Sequence, residues 1–464
     1  MLSNSENKGQ GQGEIYQYLK KYYNIRSNKK KSHGEVFTDI ALVEKILDSL
    51  PGKVWTNATF KWLDPAAGVG NFLVPIFFRL MKGLQKIYPN KLQRQNHILT
   101  HMLFFSEIDT RNINVIKKIF GVKANIFKGN FLNMSFGHEF GHEFGHGFDI
   151  IVGNPPFQED SSEGNRGGKG KLYEKFVEKS IQCLNPNGYL SFIIPTNLFG
   201  GGTPLYEKLV SKQIEFINFN KDLEQYFPTI QQKICFFVLK NTNTNANTNA
   251  NTKHDSVTII ENQEGLRFNI TLKNRPVNPI NDWTPTTEKL INKYITSDRN
   301  ECVYNRGSSL SSYKGTKYCL YYKPKEFIYS NNKALAIGSG IPKVIIYVIS
   351  ISLESDLDEK GECGVGPNIV YYPIKNIVEG RKIYSFLQSE DYKIMAKATK
   401  SNRQFIKLGL LFHLNINHII HKKHKHKHAS TRKTSKTRKN SHKKIGPRSK
   451  VRSRTRARTR SNKY

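Results

Sequence analysis

The sequence predicts an α/β protein: a domain built on a mainly parallel sheet, then a smaller β-rich domain and a disordered basic tail. Three observations predict it. Between residues 60 and 240, short apolar runs alternate with amphipathic segments, the pattern of parallel strands joined by crossover helices. An Asn/Thr/Ala run at 241–252 breaks that pattern, and Tyr- and Ile-rich short runs succeed it to about residue 411. From residue 421 the chain turns to Lys, Arg and His with no acidic residue.

Residues 1–32 are polar and Lys/Asn-rich and read as a flexible arm, and a first domain spans 33–240. Its strand candidates are 60–63, 103–106, 126–127, 148–152, 189–194 and 234–239. The clearest helix covers 172–184, where Leu172, Tyr173, Phe176, Val177, Ile181 and Leu184 make one apolar stripe before Asn185-Pro186-Asn187-Gly188. Residues 241–253 are a low-complexity linker or loop that cannot bury enough apolar surface to order itself. A second domain spans 254–420, with strands that include 344–351 and 369–372, and 421–464 form the tail. At 464 residues the chain has room for two ordinary cores.

The formal charge is +35, and 19 of the 72 Lys and Arg lie in 421–464, which leaves +16 on the remainder. A surplus of that size suits a polyanion, whose condensed counterions are released on binding. Five scattered cysteines, Cys183, Cys235, Cys302, Cys319 and Cys363, show no close-pair spacing, so neither a disulfide framework nor a zinc knuckle is expected. A reducing intracellular compartment, cytoplasm or nucleus, follows from that. No run has the length of a membrane span and the N-terminal stretch lacks the apolar core of a signal peptide, so a soluble protein is expected.

The first strand ends in Asp64-Pro65-Ala66-Ala67-Gly68-Val69-Gly70-Asn71-Phe72-Leu73, a small-residue turn that lets backbone approach a ligand at the carboxyl edge of the sheet. There is no third fingerprint glycine and no Gly-Lys-Ser/Thr, so a pyrophosphate is not the ligand expected. S-adenosylmethionine fits instead: Asp64 near its ammonium or sulfonium, with Gly68 and Gly70 clearing space. The second strand leads to Glu107-Ile108-Asp109, which places acids where a ribose offers hydroxyls, with Glu107 the ribose ligand. The third ends at Gly129-Asn130, where Asn130 can bond the cofactor's adenine. Upstream, Gly34-Glu35-Val36-Phe37-Thr38 precedes a helix that Thr38 could cap.

The strand at 148–152 runs into Gly153-Asn154-Pro155-Pro156-Phe157. Two prolines fix φ and hold the turn rigid, with carbonyls that no helix uses. Rigid acceptors suit an exocyclic amine, whose lone pair is delocalised into its ring. If the Asn154 side-chain oxygen and the Pro155 carbonyl each accept one N–H, the lone pair turns toward a methyl donor. Phe157 would stack on a base rotated out of its duplex.

In this order, from 34 to 240, these motifs resemble the gamma-class DNA adenine-N6 methyltransferases of type II restriction-modification systems, the TaqI-like group. The resemblance implies a Rossmann-like S-adenosylmethionine-dependent domain, with Phe37 and Thr38, Asp64, Ala66, Gly68, Gly70, Glu107, Asp109 and Asn130 at the cofactor and Asn154, Pro155, Pro156 and Phe157 at the reacting amine. It implies a target-recognition domain in 254–420, double-stranded DNA as partner, no metal requirement, a monomer, and a separate cognate endonuclease. Asn130 departs from the Asp usual at its position. The composition also resembles proteins of low-GC protists and large DNA viruses.

Two overlapping His-Glu-x-x-His matches, His138 to His142 and His142 to His146, are read as tandem repeats, since Gly every fourth residue opposes the helix a zinc site needs. Competing readings are an amino-methyltransferase acting on RNA or a protein glutamine, and an inactive DNA-binding homologue.

Overall fold

The computed structural model describes residues 38–135, 147–158, 171–228, 230, 232–242, 257–307, 313–349, 353–400 and 405–421. The arm at 1–32, nearly all of the linker, the His-Glu repeats at 138–146 and the tail from 422 lie outside them.

Among the described residues nine strands form one sheet: β1 (Trp62–Asp64), β2 (Leu103–Glu107), β3 (Asn125–Lys128), β4 (Phe148–Gly153), β5 (Leu184–Pro195), β6 (Gln213–Asn218), β7 (Ile234–Lys240), β8 (Val257–Glu261) and β9 (Arg267–Thr271). Their order is β3-β2-β1-β4-β5-β7-β6-β8-β9. β1 to β5 are parallel, and β7 runs antiparallel between β5 and β6. The mainly parallel α/β sheet expected from the sequence therefore forms, and all six strand candidates lie in it. The helix expected over 172–184 runs from Leu172 to Gln182.

Both faces of the sheet's central strands are buried, which is why β1, β2, β4, β5 and β7 read as mainly apolar runs. Trp62, Phe105, Ile150, Ile193 and Phe236 point into one core, with residues of α1 (Ile40–Leu47), α2 (Leu73–Gly83) and α4 (Thr110–Phe120). A further helix, α3 (Lys91–His97), precedes β2. Leu63, Phe104, Ile151, Ile194 and Phe237 point into the other, with residues of α5 (Leu172–Gln182) and α6 (Pro204–Val210). Parallel strands followed by helices turn all their carboxyl ends to one edge, and the loops there carry the candidate residues.

Two expectations are corrected by the sheet. β6 had no counterpart among the strand candidates: its sequence alternates polar and apolar, so it lacks the continuous apolar run of its neighbours. The boundary at 254 also fails, because β8 and β9 return to the first sheet, with Phe216 opposite Ile259 in parallel register. Without them β6 would be an open edge.

The remaining chain is mixed rather than only β-rich. Strands β10 (Val303–Asn305), β13 (Lys343–Tyr347), β14 (Ser355–Asp358) and β16 (Ile369–Pro373) pair antiparallel, while β11 (Tyr318–Lys323), β12 (Glu326–Ser330) and β15 (Gly364–Val365) make a three-stranded sheet. Helices α7 (Pro285–Tyr294), α8 (Ile377–Gln388), α9 (Glu390–Thr399), α10 (Leu408–Phe412) and α11 (Ile416–His421) accompany them. Val344, Ile346, Val370 and Tyr372 face the helices, and Ile345, Tyr347, Ile369 and Tyr371 face Tyr321 and Val365. Lys343 and Asp358 form a buried ion pair of 2.7 Å beneath the turn after β14.

Cys319 and Cys363 are disulfide-bonded, which corrects the expectation of no disulfide. Their sequence separation of 44 carries no signal. The parallel register that sets Leu320 opposite Gly364 brings the two preceding cysteines side by side. Cys183, Cys235 and Cys302 are free and buried.

Candidate active site

β1 ends at Asp64, and the loop to α2 makes a tight reversal in which Gly68 and Gly70 take φ of +54° and +92°. Side chains are strained in that region, and a Cβ on Gly70 would also lie 2.9 Å from the Phe120 ring. The loop is sewn to the end of β2. Ala67 N donates to Ser106 O at 3.0 Å, and Gly68 N donates to the Glu107 carboxylate at 2.7 Å. The other Glu107 oxygen accepts from Asp109 N at 2.7 Å. Glu107 thus stands against the loop.

Asp64 is buried and accepts one bond, from Ala66 N at 3.1 Å. Burial, with the Glu107 charge adding to it, pushes its carboxyl up to about 8. No cationic side chain pairs with it among the described residues. A buried acid beside a second acid fits a cationic ligand, so these residues suit the sulfonium and ammonium of S-adenosylmethionine.

The Asn154–Phe157 turn meets this loop at the end of β4. A Cβ on Gly153 would stand 2.8 Å from the Asp64 carboxylate, so only glycine lets the two strand ends touch. In the next residue, Asn154 Nδ2 donates to the Thr38 hydroxyl at 3.1 Å. The Thr38 carbonyl in turn accepts from Asn71 Nδ2, also at 3.1 Å. With its nitrogen end held, Asn154 leaves Oδ1 buried and without a hydrogen-bond partner among the described residues. This oxygen is one of several buried polar atoms left without a partner among the described residues, and at the end of a sheet strand it is an acceptor open to a donor from a ligand or water. Pro155 is buried, Pro156 exposed, and Phe157 half-buried, edge-on to Tyr173 with ring centroids 6.4 Å apart.

The structure thus brings together Thr38, Asp64, Ala66, Gly68, Gly70, Glu107 and Asn154. Thr38 does not cap the first helix. Asp39 does, accepting from Ala41 N at 2.7 Å, because it directly precedes the helix while the Thr38 hydroxyl turns inward to Asn154. Asp109 lies on the same edge, but its carboxylate caps α4 and pairs with Arg111, which pulls it down to about 2. Asn130 is exposed, and its side-chain oxygen accepts from Leu132 N at 3.0 Å. Phe37 lies outside the described residues. Sequence reasoning assigned no role to Asn71, whose only signal was its place beside the glycines.

Residues 79–227 match the model of the Eco57I restriction-modification methylase family. That stretch holds Glu107, Asn130 and the Asn154–Phe157 turn. A Mycoplasma pneumoniae protein described as an uncharacterized adenine-specific methylase is 29% identical over 234 residues, covering 35% of this chain and 55% of its own. The chain therefore spans about half the length of that curated relative. Among solved structures, a type I restriction-modification methyltransferase subunit from Streptococcus thermophilus is 14% identical, covering 57% of this chain and 54% of its own at a TM-score of 0.35. The Type ISP restriction-modification enzyme LlaBIII, bound to DNA, is 12% identical, covering 85% of this chain and 39% of its own at 0.49.

Within the matched stretch, the orphaned oxygen and the proline turn offer hydrogen-bond acceptors, and the Asp64 to Gly70 loop, with its buried acid, precedes that stretch.

Proposed function

We propose that the chain is an S-adenosylmethionine-dependent DNA methyltransferase that modifies N6 of adenine in duplex DNA, with the base turned out of the helix. The observation that carries this reading is the orphaned Oδ1 of Asn154, oriented by Thr38 and carried by the residue after Gly153, which packs on the Asp64 carboxylate. The family match over 79–227 and the name of the Mycoplasma relative support the choice of adenine and of DNA.

In this reading Asp64, Gly68, Gly70, Glu107 and the Thr38 element hold S-adenosylmethionine, which supplies an electrophilic methyl group when bound. The chain's own contribution is to prepare the amine. Asn154 Oδ1 and the Pro155 carbonyl accept its two N–H bonds, drawing the nitrogen out of conjugation and aiming its lone pair. Pro155 and Pro156 hold the backbone carbonyl and Thr38 holds the amide, so little reorganisation accompanies the reaction. Phe157 offers a face for the extruded base. A nitrogen that has gained a methyl group is acidic, so its proton leaves to solvent without a strong base. Action as a monomer, a separate cognate endonuclease and metal independence belong to the same proposal.

The test is transfer of labelled methyl from S-adenosylmethionine to unmethylated duplex DNA, followed by nucleoside digestion. Label in N6-methyladenine that drops by a factor of about 100 or more in Asn154→Ala is the expected result. Label in RNA or in a protein glutamine, and none in DNA, would overturn the substrate.

A further inference from the structure

We propose that Lys407, with Lys171 near it, is a phosphate site for a DNA strand lying along the carboxyl edge of the first sheet. This rests on the reading that duplex DNA is the partner. Lys171 is the residue before α5, the helix that follows β4, and such a helix begins at the carboxyl edge of its sheet. Gly200 closes the short turn after β5, the strand next to β4 in the sheet. Lys407, the residue before α10, reaches back onto this turn: its ammonium stands 2.8 Å from where a Cβ on Gly200 would be. The absent side chain at Gly200 is the space the ammonium occupies.

Among the described residues no carboxylate answers that charge. Lys171 has Glu174 at 2.7 Å, whereas no ion pair or hydrogen bond from a described residue engages the Lys407 ammonium. Burial holds Lys407 below the usual lysine range, and the charge of Lys171 lowers it further. Two neighbouring cations, one of them desolvated and without a carboxylate partner among the described residues, weaken a fold. An anion between them removes both penalties, and at this edge of the sheet the anion a duplex offers is a phosphodiester oxygen. Such a contact positions the strand without reading its sequence.

The test compares the full-length wild type with Lys407→Gln and Lys407→Arg in duplex DNA binding across a salt series, alongside cofactor binding and thermal melting. Lys407→Gln should weaken binding by a similar factor for every duplex sequence and lower the salt slope by about 1, and Lys407→Arg should restore both. Cofactor binding should be unchanged, and melting equal or higher, since a desolvated charge is gone. Residues 422–464 are common to all three proteins and drop out of the difference. An unchanged affinity and slope, or a lower melting temperature with lost cofactor binding, would overturn the site. Because the readout is binding, a wild type whose slope depends on Lys407 but which transfers no methyl sinks the enzymatic reading and leaves this site standing. Transfer with a Lys407-independent slope does the reverse, and a wild type that binds no duplex sinks both.

Discussion

The Thr38 hydroxyl decides which end of the Asn154 amide faces the site. It takes the nitrogen, and the oxygen is left for a donor. Thr38→Val keeps the volume and removes that bond, so the amide can rotate or waver. A lost bond of about 1 to 1.5 kcal/mol predicts a fall of about tenfold in single-turnover methyl transfer, with cofactor affinity near the wild-type value. A wild-type rate in this variant would detach Thr38 from the amide. Asp64 makes a pH-dependent prediction. Between its ordinary value of 3.8 and about 8, the unfolded chain has released the Asp64 proton while the folded chain retains it. The unfolded state therefore binds fewer protons, and the stability of the ligand-free protein falls as pH rises through that window. A cation beside Asp64 favours its carboxylate, so cofactor affinity should rise from about pH 6 to 8 with release of up to about one proton. Calorimetry in buffers of different ionisation enthalpy reads this directly, and Asp64→Asn should abolish the release.

At the scale of elements, the turn from β1 to α2 was legible because its requirement is local. Glycines at 68 and 70 take left-handed backbone whatever surrounds them. Gly70→Ala meets both that strain and the Phe120 ring, and should lower stability by about 1 to 3 kcal/mol and impair cofactor binding together. Chemical denaturation with a parallel cofactor titration checks it, and an unperturbed variant would mean that the turn adjusts freely. The Asn-Pro-Pro-Phe turn was legible for the same reason, since two prolines dictate its backbone alone. Less legible was anything set by a distant partner. Thr38 meets a residue 116 positions away, so its sequence neighbourhood suggested only a cap. Asp109 looked like a ligand residue, and capping α4 is a use that any Asp before a helix can find.

At the scale of the whole molecule, basic charge is concentrated in 421–464, with 19 Lys and Arg and no acid. Removing residues 422–464 should flatten the salt dependence of DNA binding while leaving the methylated sequence unchanged. Filter binding across a salt series, with mapping of the modified sites, tests this, and a changed recognition sequence would overturn it. By itself the sequence determined the α/β class and the positions along the chain of six strands of the first sheet, and it singled out the two loops proposed to carry chemistry. Apolar runs, glycines and prolines act through the backbone near them, and that information is local. The tertiary structure decided the features set by pairing and register: the return of β8 and β9 to the first sheet, and the meeting of Cys319 with Cys363. It also decided the contact that orients Asn154 and the placement of the Lys407 ammonium over Gly200. Each joins residues far apart in the chain, whose proximity is set by how the whole core packs and not by any stretch of sequence near them.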